Sequence, residues 1–350
     1  MAAIPIADPE HLTAVLRRAG VLGDAWVRDV TVESDKPTIV SRIVRLRLHF
    51  DGDSGDAPTS IILKTAHPER LTSSWGAGRN EVAFYRDVAT AMPSGSVPRC
   101  FEAYADDATK SWHLLLEDLT DSHMIIASWP LPPSLPQCER IVEARARFHA
   151  AWWDEVRLGR SIGVRRDARM VEQTMRDFGS HYIRMADRLG DGLSQEQRAL
   201  YEQFQGATAL LIARYETRRH LTITHNDAHV RNCLLPRDGG GDVRLFDWDS
   251  WRIGIGASDL AYMMAVHWYP EQRQRMERAL LDRYHATLVE CGVQGYDRQA
   301  LDDDYRLAVL WQIATPVWQS AYDIPPVIWW NNMQRVLLAV DDLGCRKWLA

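Results

Sequence analysis

His225-Asn226-Asp227-Ala228-His229-Val230-Arg231-Asn232 is the stretch on which the reading of this chain turns. It sets a carboxylate and a carboxamide five positions apart, and a further carboxylate, Asp247, follows in Phe246-Asp247-Trp248-Asp249. Residues 221–224, 232–236 and 243–247 around it have β-type composition, and the last two are joined by Arg237-Asp238-Gly239-Gly240-Gly241-Asp242, whose glycines read as hairpin punctuation. Asp227, Asn232 and Asp247 offer oxygen donors, which magnesium takes in preference to sulfur. Taken singly, each is a helix cap or a solvated loop residue. Their joint spacing argues for a site.

Outward from this stretch, the chain divides by period. Residues 26–33, 39–50 and 60–66 are rich in Val and Ile with alternating charges, and the turn-forming segment 51–58 separates the last two. Residues 78–91 change to helical spacing, with Val82, Tyr85, Val88 and Ala89 on one stripe, and 99–105 and 112–117 return to strands. Asp118-Leu119-Thr120-Asp121 reads as a linker. Beyond the proline-rich 130–136, helical stripes run over 137–155, 168–188, 194–218, 258–268, 270–291, 298–320 and 326–348. The expected class is α+β. A small N-terminal β-sheet lobe with one main helix (1–117) precedes a larger, mostly helical C-terminal lobe (118–350) in which the β segments of the central stretch are an interruption.

Composition narrows the function classes. The 350 residues are 46% hydrophobic and 25% charged, ordinary for a globular enzyme, and the net charge of −6 is spread along the chain. No basic stripe with interleaved aromatics points to nucleic acid. The five cysteines are scattered and never spaced as a CxxC pair, so reduced thiols in a cytoplasm are the expectation. Asp8-Pro9-Glu10 ahead of Leu12, Val15 and Leu16 reads as a capped amphipathic helix rather than a signal peptide, and the apolar run 260–269 is too short to span a bilayer.

HNDAHVRN at 225–232 has the H-x-D-x-x-x-x-N spacing of a kinase catalytic loop. Together with FDWD at 246–249 it resembles the aminoglycoside phosphotransferase and choline kinase superfamily, whose loop typically reads HGDxHxxN and whose metal strand reads DWE or DWD. LLLEDL at 114–119, RFHAAWW at 147–153 and VPRCFEAY at 97–104 bring it nearest to the ecdysteroid kinase-like branch. The resemblance implies a two-lobed protein-kinase-like fold and an ATP- and Mg2+-dependent phosphotransferase acting on a hydroxyl of a small molecule such as an antibiotic, a steroid or an amino alcohol. It implies Asp227 as catalytic base or hydroxyl-positioning group, Asn232 and Asp247 as magnesium ligands, and His225 as a brace for the loop. His229 either orients the loop or packs. Asp249 and Asp259 are weaker candidates, the latter as an acceptor for main-chain N–H groups of the loop.

On the nucleotide side, Lys64 ends an apolar strand and Glu81 opens the first helix after it, 17 positions on, the order of the phosphate-binding lysine and helix glutamate of kinases. A surface salt bridge is the plain alternative. The segment 33–41, where kinases place glycines over the phosphates, has none, which leaves the hydroxyls of Thr38 and Ser41 as candidate phosphate contacts. By the resemblance, adenine would hydrogen-bond the backbone around Glu117, Asp118 and Leu119. Gly254-Ile255-Gly256 reads as a loop.

Fourteen tryptophans include Trp311, Trp318, Trp329 and Trp330 near Tyr322; Trp311 and Trp318, seven apart, are expected on one helix face, as a core stripe or an acceptor wall. Asp302-Asp303-Asp304 reads as a solvated helix start or a polyamine-attracting run. Two rival readings stay open. His225, Asp227 and His229 alternate and, on an extended segment, would form the ligand set of a metal-dependent hydrolase; and the glycine-free segment would suit a catalytically silent kinase-like binding module.

Overall fold

The computed structural model describes residues 5–38, 41–67, 69, 71–93, 95–126, 132–322 and 324–349. The chain divides into two compact units, Met1–Ile125 with Leu234–Trp251 and Ile126–Cys233 with Arg252–Ala350.

The first unit is built on an antiparallel sheet of β1 (Trp26–Pro37), β2 (Ser41–Asp51), β3 (Ser60–Ala66), β4 (Cys100–Asp106) and β5 (Ser111–Glu117), in the order β1-β2-β3-β5-β4. Helix α1 (Pro9–Arg18) starts at Asp8, whose carboxylate accepts the His11 N–H. Its apolar stripe of Leu12, Val15 and Leu16 packs with Val44, Leu46, Leu48, Ile61, Leu63 and Leu115 from the strands. Helix α2 (Leu71–Ala83) begins earlier than its stripe announces and continues through a π turn at Phe84–Val88. It lies so close to β5 that a Cβ on Gly78 would stand 2.0 Å from the Trp112 ring.

Among the described residues five further strands are short: β6 (His123–Ile125), β7 (Thr222–Thr224), β8 (Cys233–Pro236), β9 (Arg244–Leu245) and β10 (Arg252–Gly254). Here the expected boundary after Glu117, with 234–251 inside the helical lobe, is corrected. β6 pairs antiparallel with β8, Leu245 N–H donates to the Ser96 carbonyl at 3.0 Å, and Trp251 Nε1 donates to the Asn80 carbonyl at 2.8 Å. These non-local bonds, invisible to local period, fasten 234–251 to the first unit. Of Gly254-Ile255-Gly256, read as a loop, Gly254 closes β10, which pairs with β7, and the other two lie between that strand and the helix Ala257–Ala261.

The second unit is helical: α3 (Leu135–Ala151), α4 (Ala168–Leu189), α5 (Gln195–Gly206), α6 (Thr208–Glu216), α7 (Ala257–Ala261), α8 (Pro270–Glu290), α9 (Arg298–Gln312), α10 (Ala314–Ala321) and α11 (Pro326–Asp342). The expected helix 298–320 is two helices. Pro316 has no N–H to return to the Gln312 carbonyl, so the ladder breaks there. Trp311 and Trp318 therefore sit on different helices: Trp311 packs edge-on to Phe204 and under the Arg166 guanidinium, while Trp318 meets His181 and Tyr322. The acidic run is likewise taken up, Asp302 by Arg298, Asp303 by Arg306 and Asp304 by Arg214 and the Tyr296 hydroxyl. Among the described residues no helix is long and apolar enough to cross a membrane.

Candidate active site

Lys64, Glu81 and Asp247 come together in the first unit. Lys64 on β3 points its Nζ at Glu81 Oε2 and Asp247 Oδ1, each at 2.5 Å, with the lysine and glutamate side chains buried. Glu81 lies near the C-terminal end of α2 rather than at its start, and its other oxygen accepts the Trp248 N–H at 3.3 Å. Trp248 in turn is buried and stacked on Phe84, with ring centroids 4.1 Å apart, and Asn80 donates to the Asp249 carbonyl at 2.8 Å. The segment that carries Asp247 is thus bound to α2. Asp247 lies past β9 rather than on a strand, in the left-handed region at φ 68°, a conformation Asp tolerates better than most residues.

Burial alone would lower the Lys64 pKa, but the negative charges of Asp247, Glu81 and Asp249 outweigh it and hold the ammonium well above its ordinary value. Burial lifts Glu81 to about 7 against the pull of Lys64. Among the described residues the Lys64 ammonium thus meets the Glu81 and Asp247 carboxylates and feels the charge of Asp249 as well. The cluster has an excess of negative charge that a further cation would relieve.

Asp227 and Asn232 come together in the second unit. Asn232 donates its amide N–H groups to the Asp227 main-chain oxygen at 2.8 Å and to Asp227 Oδ2 at 3.0 Å, which turns its carbonyl oxygen away from Asp227. The Tyr262 hydroxyl donates to Asp227 Oδ1 at 2.8 Å, and His229 Nε2 lies 3.5 Å from Oδ2. Asp227 is therefore held on both oxygens yet remains partly exposed. Tyr262 opens a π turn, Tyr262–Val266, that follows α7, the kind of local widening that recurs at functional sites.

Asp259 clamps the loop. Its carboxylate accepts the main-chain N–H groups of His225 at 2.8 Å and Asn226 at 2.9 Å. It also faces His149 Nε2 at 3.3 Å and Arg145 Nη1 at 3.5 Å, all fully buried. Burial pushes this carboxyl up, but the hydrogen bond from His149 and the charges of His149 and Arg145 hold it well below the usual carboxylate range. Asn226 stands at φ 69°, where the related pattern has glycine, and its side-chain oxygen accepts from Arg252. That left-handed residue interrupts an extended alternation of His225, Asp227 and His229; His229 approaches Asp227, but among the described residues the three do not converge as a metal-ligand group. Arg145 also holds the Ala228 carbonyl at 2.7 Å, and His149 Nδ1 pairs with the Tyr284 hydroxyl at 2.7 Å. Gly256 gives way to this pair: a Cβ there would stand 2.3 Å from the Tyr284 oxygen.

Sequence reasoning missed Tyr262, Arg145, His149 and Asn80. Tyr262 follows Asp259 at helical spacing and could have been found by it; the others lie far along the chain from their partners. Of the remaining nucleotide-side candidates, Ser41 starts β2 on the sheet face of Lys64 and is bonded to Thr38, Oγ to Oγ at 3.0 Å. Ile39 and Val40 of that segment lie outside the described residues. Glu117 accepts the Arg99 N–H at 3.1 Å, the Leu119 carbonyl accepts the His123 N–H at 2.8 Å, and Asp118 between them binds Ser60 and Arg45 at 2.6 Å each.

Several solved structures share this architecture. Choline kinase from Cryptosporidium parvum Iowa II aligns over 97% of this chain and 99% of its own with 12% identity and a TM-score of 0.59. APH(2″)-IIa, solved in a ternary complex with streptomycin and ATP, covers 98% and 99% at 13% identity with a TM-score of 0.55. Ethanolamine kinase from Plasmodium vivax covers 97% and 89% at 9% identity with a TM-score of 0.54. At such identities these likenesses speak for the fold, the protein-kinase-like arrangement of a small sheet lobe and a larger helical part. No curated protein matches the sequence. The Ecdysteroid kinase-like family does, over residues 38–294. With Lys64, Glu81, Asp227, Asn232, Asp247 and Asp259 all inside the matched span, this chain belongs to the ecdysteroid kinase-like family.

Proposed function

We propose that the protein is an ATP- and magnesium-dependent O-phosphotransferase that places a phosphoryl group on a hydroxyl of a small molecule. The observation that carries this reading is the buried Lys64 ammonium with Glu81 and Asp247 at 2.5 Å, a cluster whose residual negative charge suits a divalent cation. Family membership and the kinase-like fold support a kinase function; the neighbours named above include a choline kinase and an ethanolamine kinase.

In this reading Lys64 binds phosphate oxygens, with Glu81 holding the ammonium in place. The Asn232 carbonyl oxygen and the Asp247 carboxylate are the magnesium ligands, hard oxygen donors of the type that ion takes. Magnesium, when bound, neutralises charge on the phosphates. Asp227 receives the acceptor hydroxyl: Asn232 and Tyr262 orient its two oxygens, and Asp259 fixes the main chain before it. Ser41 and Thr38 contact phosphate in place of a glycine loop, and the backbone around Glu117 and Leu119 meets adenine. The acceptor class is an antibiotic, a steroid or an amino alcohol, and the partner is that small molecule rather than nucleic acid or membrane, in a cytoplasmic setting.

The test is ATP consumption with magnesium against a panel of those hydroxyl compounds, followed by Asp227→Asn on the best acceptor. Turnover should fall by roughly 10²–10⁴-fold, the range for loss of a general base, with Mg-ATP affinity by calorimetry little changed. Near-wild-type turnover in Asp227→Asn would remove the assigned role. Tight Mg-ATP binding with no turnover on any acceptor would favour the silent binding module instead.

A further inference from the structure

Within the first unit, α1 and the sheet meet at a set of side chains that the proposed reaction does not use. His11 lies in the first turn of α1, where the Asp8 carboxylate fixes its main-chain N–H at 2.9 Å. Glu102 is on β4 and His113 on β5. In their register Glu102 stands opposite Leu115 and Tyr104 opposite His113, so Glu102 and His113 are diagonal neighbours on the face that packs α1. The Nε2 atoms of His11 and His113 each lie 2.8 Å from the same oxygen, Glu102 Oε2, and the three atoms lie within 4.8 Å of one another. Among the described residues this is the one group of His, Cys, Asp and Glu side chains with that convergence.

We propose that His11, Glu102 and His113 form a binding site for a divalent first-row transition metal, zinc in particular, that fastens α1 to the sheet. Two imidazole nitrogens and one carboxylate oxygen are a donor set that zinc takes at about 2.0–2.2 Å, whereas magnesium prefers oxygen alone. Tetrahedral bonds of that length set ligand atoms about 3.3 Å apart, so rotation of side chains already 2.8 Å apart suffices. The second carboxylate oxygen is engaged by Arg18 at 2.6 Å, which orients Glu102 as outer partners orient ligating carboxylates, and leaves it one oxygen for the metal. The positive charge of Arg18 weakens the site relative to a neutral partner. The Tyr104 ring stacks on His113 at 5.1 Å and restricts that imidazole. The His11 side chain is 38% exposed, which gives the ion a route in and water the fourth position.

The rival account is a hydrogen-bonded His–Glu–His bridge that needs no ion. Full-length protein without an affinity tag, stripped by chelator, separates the two when titrated with zinc by calorimetry and with cobalt(II) by visible absorption. The exposed Cys291 thiol is the competing ligand, so Cys291→Ser is the background. The expected result is one equivalent bound with micromolar or tighter affinity, tetrahedral cobalt bands, and a loss of at least about tenfold in His11→Gln and in His113→Gln. At a zinc concentration about a hundredfold above Kd, the Tm should rise by roughly 5–10 °C, and not in the variants. Because His11 is on the surface of α1, His11→Gln keeps the test open if His113→Gln does not fold. Absence of saturable binding, or binding that His11→Gln leaves unchanged, overturns the site.

Discussion

Asp259→Asn is the perturbation that tests most of the loop architecture at once. The substitution keeps shape and removes a charge, but the amide presents one acceptor oxygen where two main-chain N–H groups now donate, from His225 at 2.8 Å and Asn226 at 2.9 Å. The amide NH₂ must then face a donor, and Arg145, fully buried, loses the carboxylate at 3.5 Å from its Nη1. Breaking one side of a buried pair costs about 3–5 kcal/mol, because the charge left behind is uncompensated. For a domain of about two hundred residues each kcal/mol moves Tm by roughly 2–4 °C, so a fall of roughly 6–20 °C is expected by calorimetry. The pH dependence has a definite sign. The folded-state pKa of Asp259 is depressed, so its contribution is present above the unfolded value near 3.9 and is lost as pH falls below that value toward the folded one. The stability gap between wild type and Asp259→Asn should therefore be constant at neutral pH and narrow in acid. Adding Arg145→Met should recover part of the loss, since a charge no longer left unpaired costs less than one that is. A loss under about 1 kcal/mol, or a gap that widens in acid, would refute the clamp.

Lys64→Met should cut kcat/KM for ATP by roughly 10²-fold or more, on the scale of other single electrostatic contacts to a transition state. It also leaves Glu81 buried without its cation, so Glu81→Gln in the same chain should restore stability but not turnover; recovery of turnover would mark Lys64 as structural. Gly256→Ala puts a Cβ 2.3 Å from the Tyr284 oxygen and 2.9 Å from His149 Nδ1, and should destabilise by about 1–3 kcal/mol in urea unfolding. Adding Tyr284→Phe should relieve part of that cost, and no relief would place the strain elsewhere.

The fold was legible where the pattern is local. Alternation over 39–50 and 60–66 pointed to the strands found at Ser41–Asp51 and Ser60–Ala66, helical stripes gave most of the second unit, and H-x-D-x-x-x-x-N singled out the loop because the spacing itself is the signal. Errors arose where a distant contact or a single missing N–H decides. Pro316 divided a helix whose apolar stripe runs on unbroken, and pairing of His123–Ile125 with Leu234–Pro236 moved eighteen residues from the helical part to the sheet part.

The candidate site divides along the same line. Sequence alone determined which groups are available, since carboxylate, carboxamide and ammonium chemistry is fixed by residue type: Asp227, Asn232 and Asp247 as oxygen donors, Lys64 and Glu81 as an ion pair. Only the tertiary structure decided how those groups are held. The Lys64–Asp247 contact spans 183 residues, the His149–Asp259 contact 110, and the Tyr262–Asp227 bond 35. No local period encodes such pairs, because they form only when packing of the apolar faces brings remote segments together and excludes the water that would otherwise satisfy them.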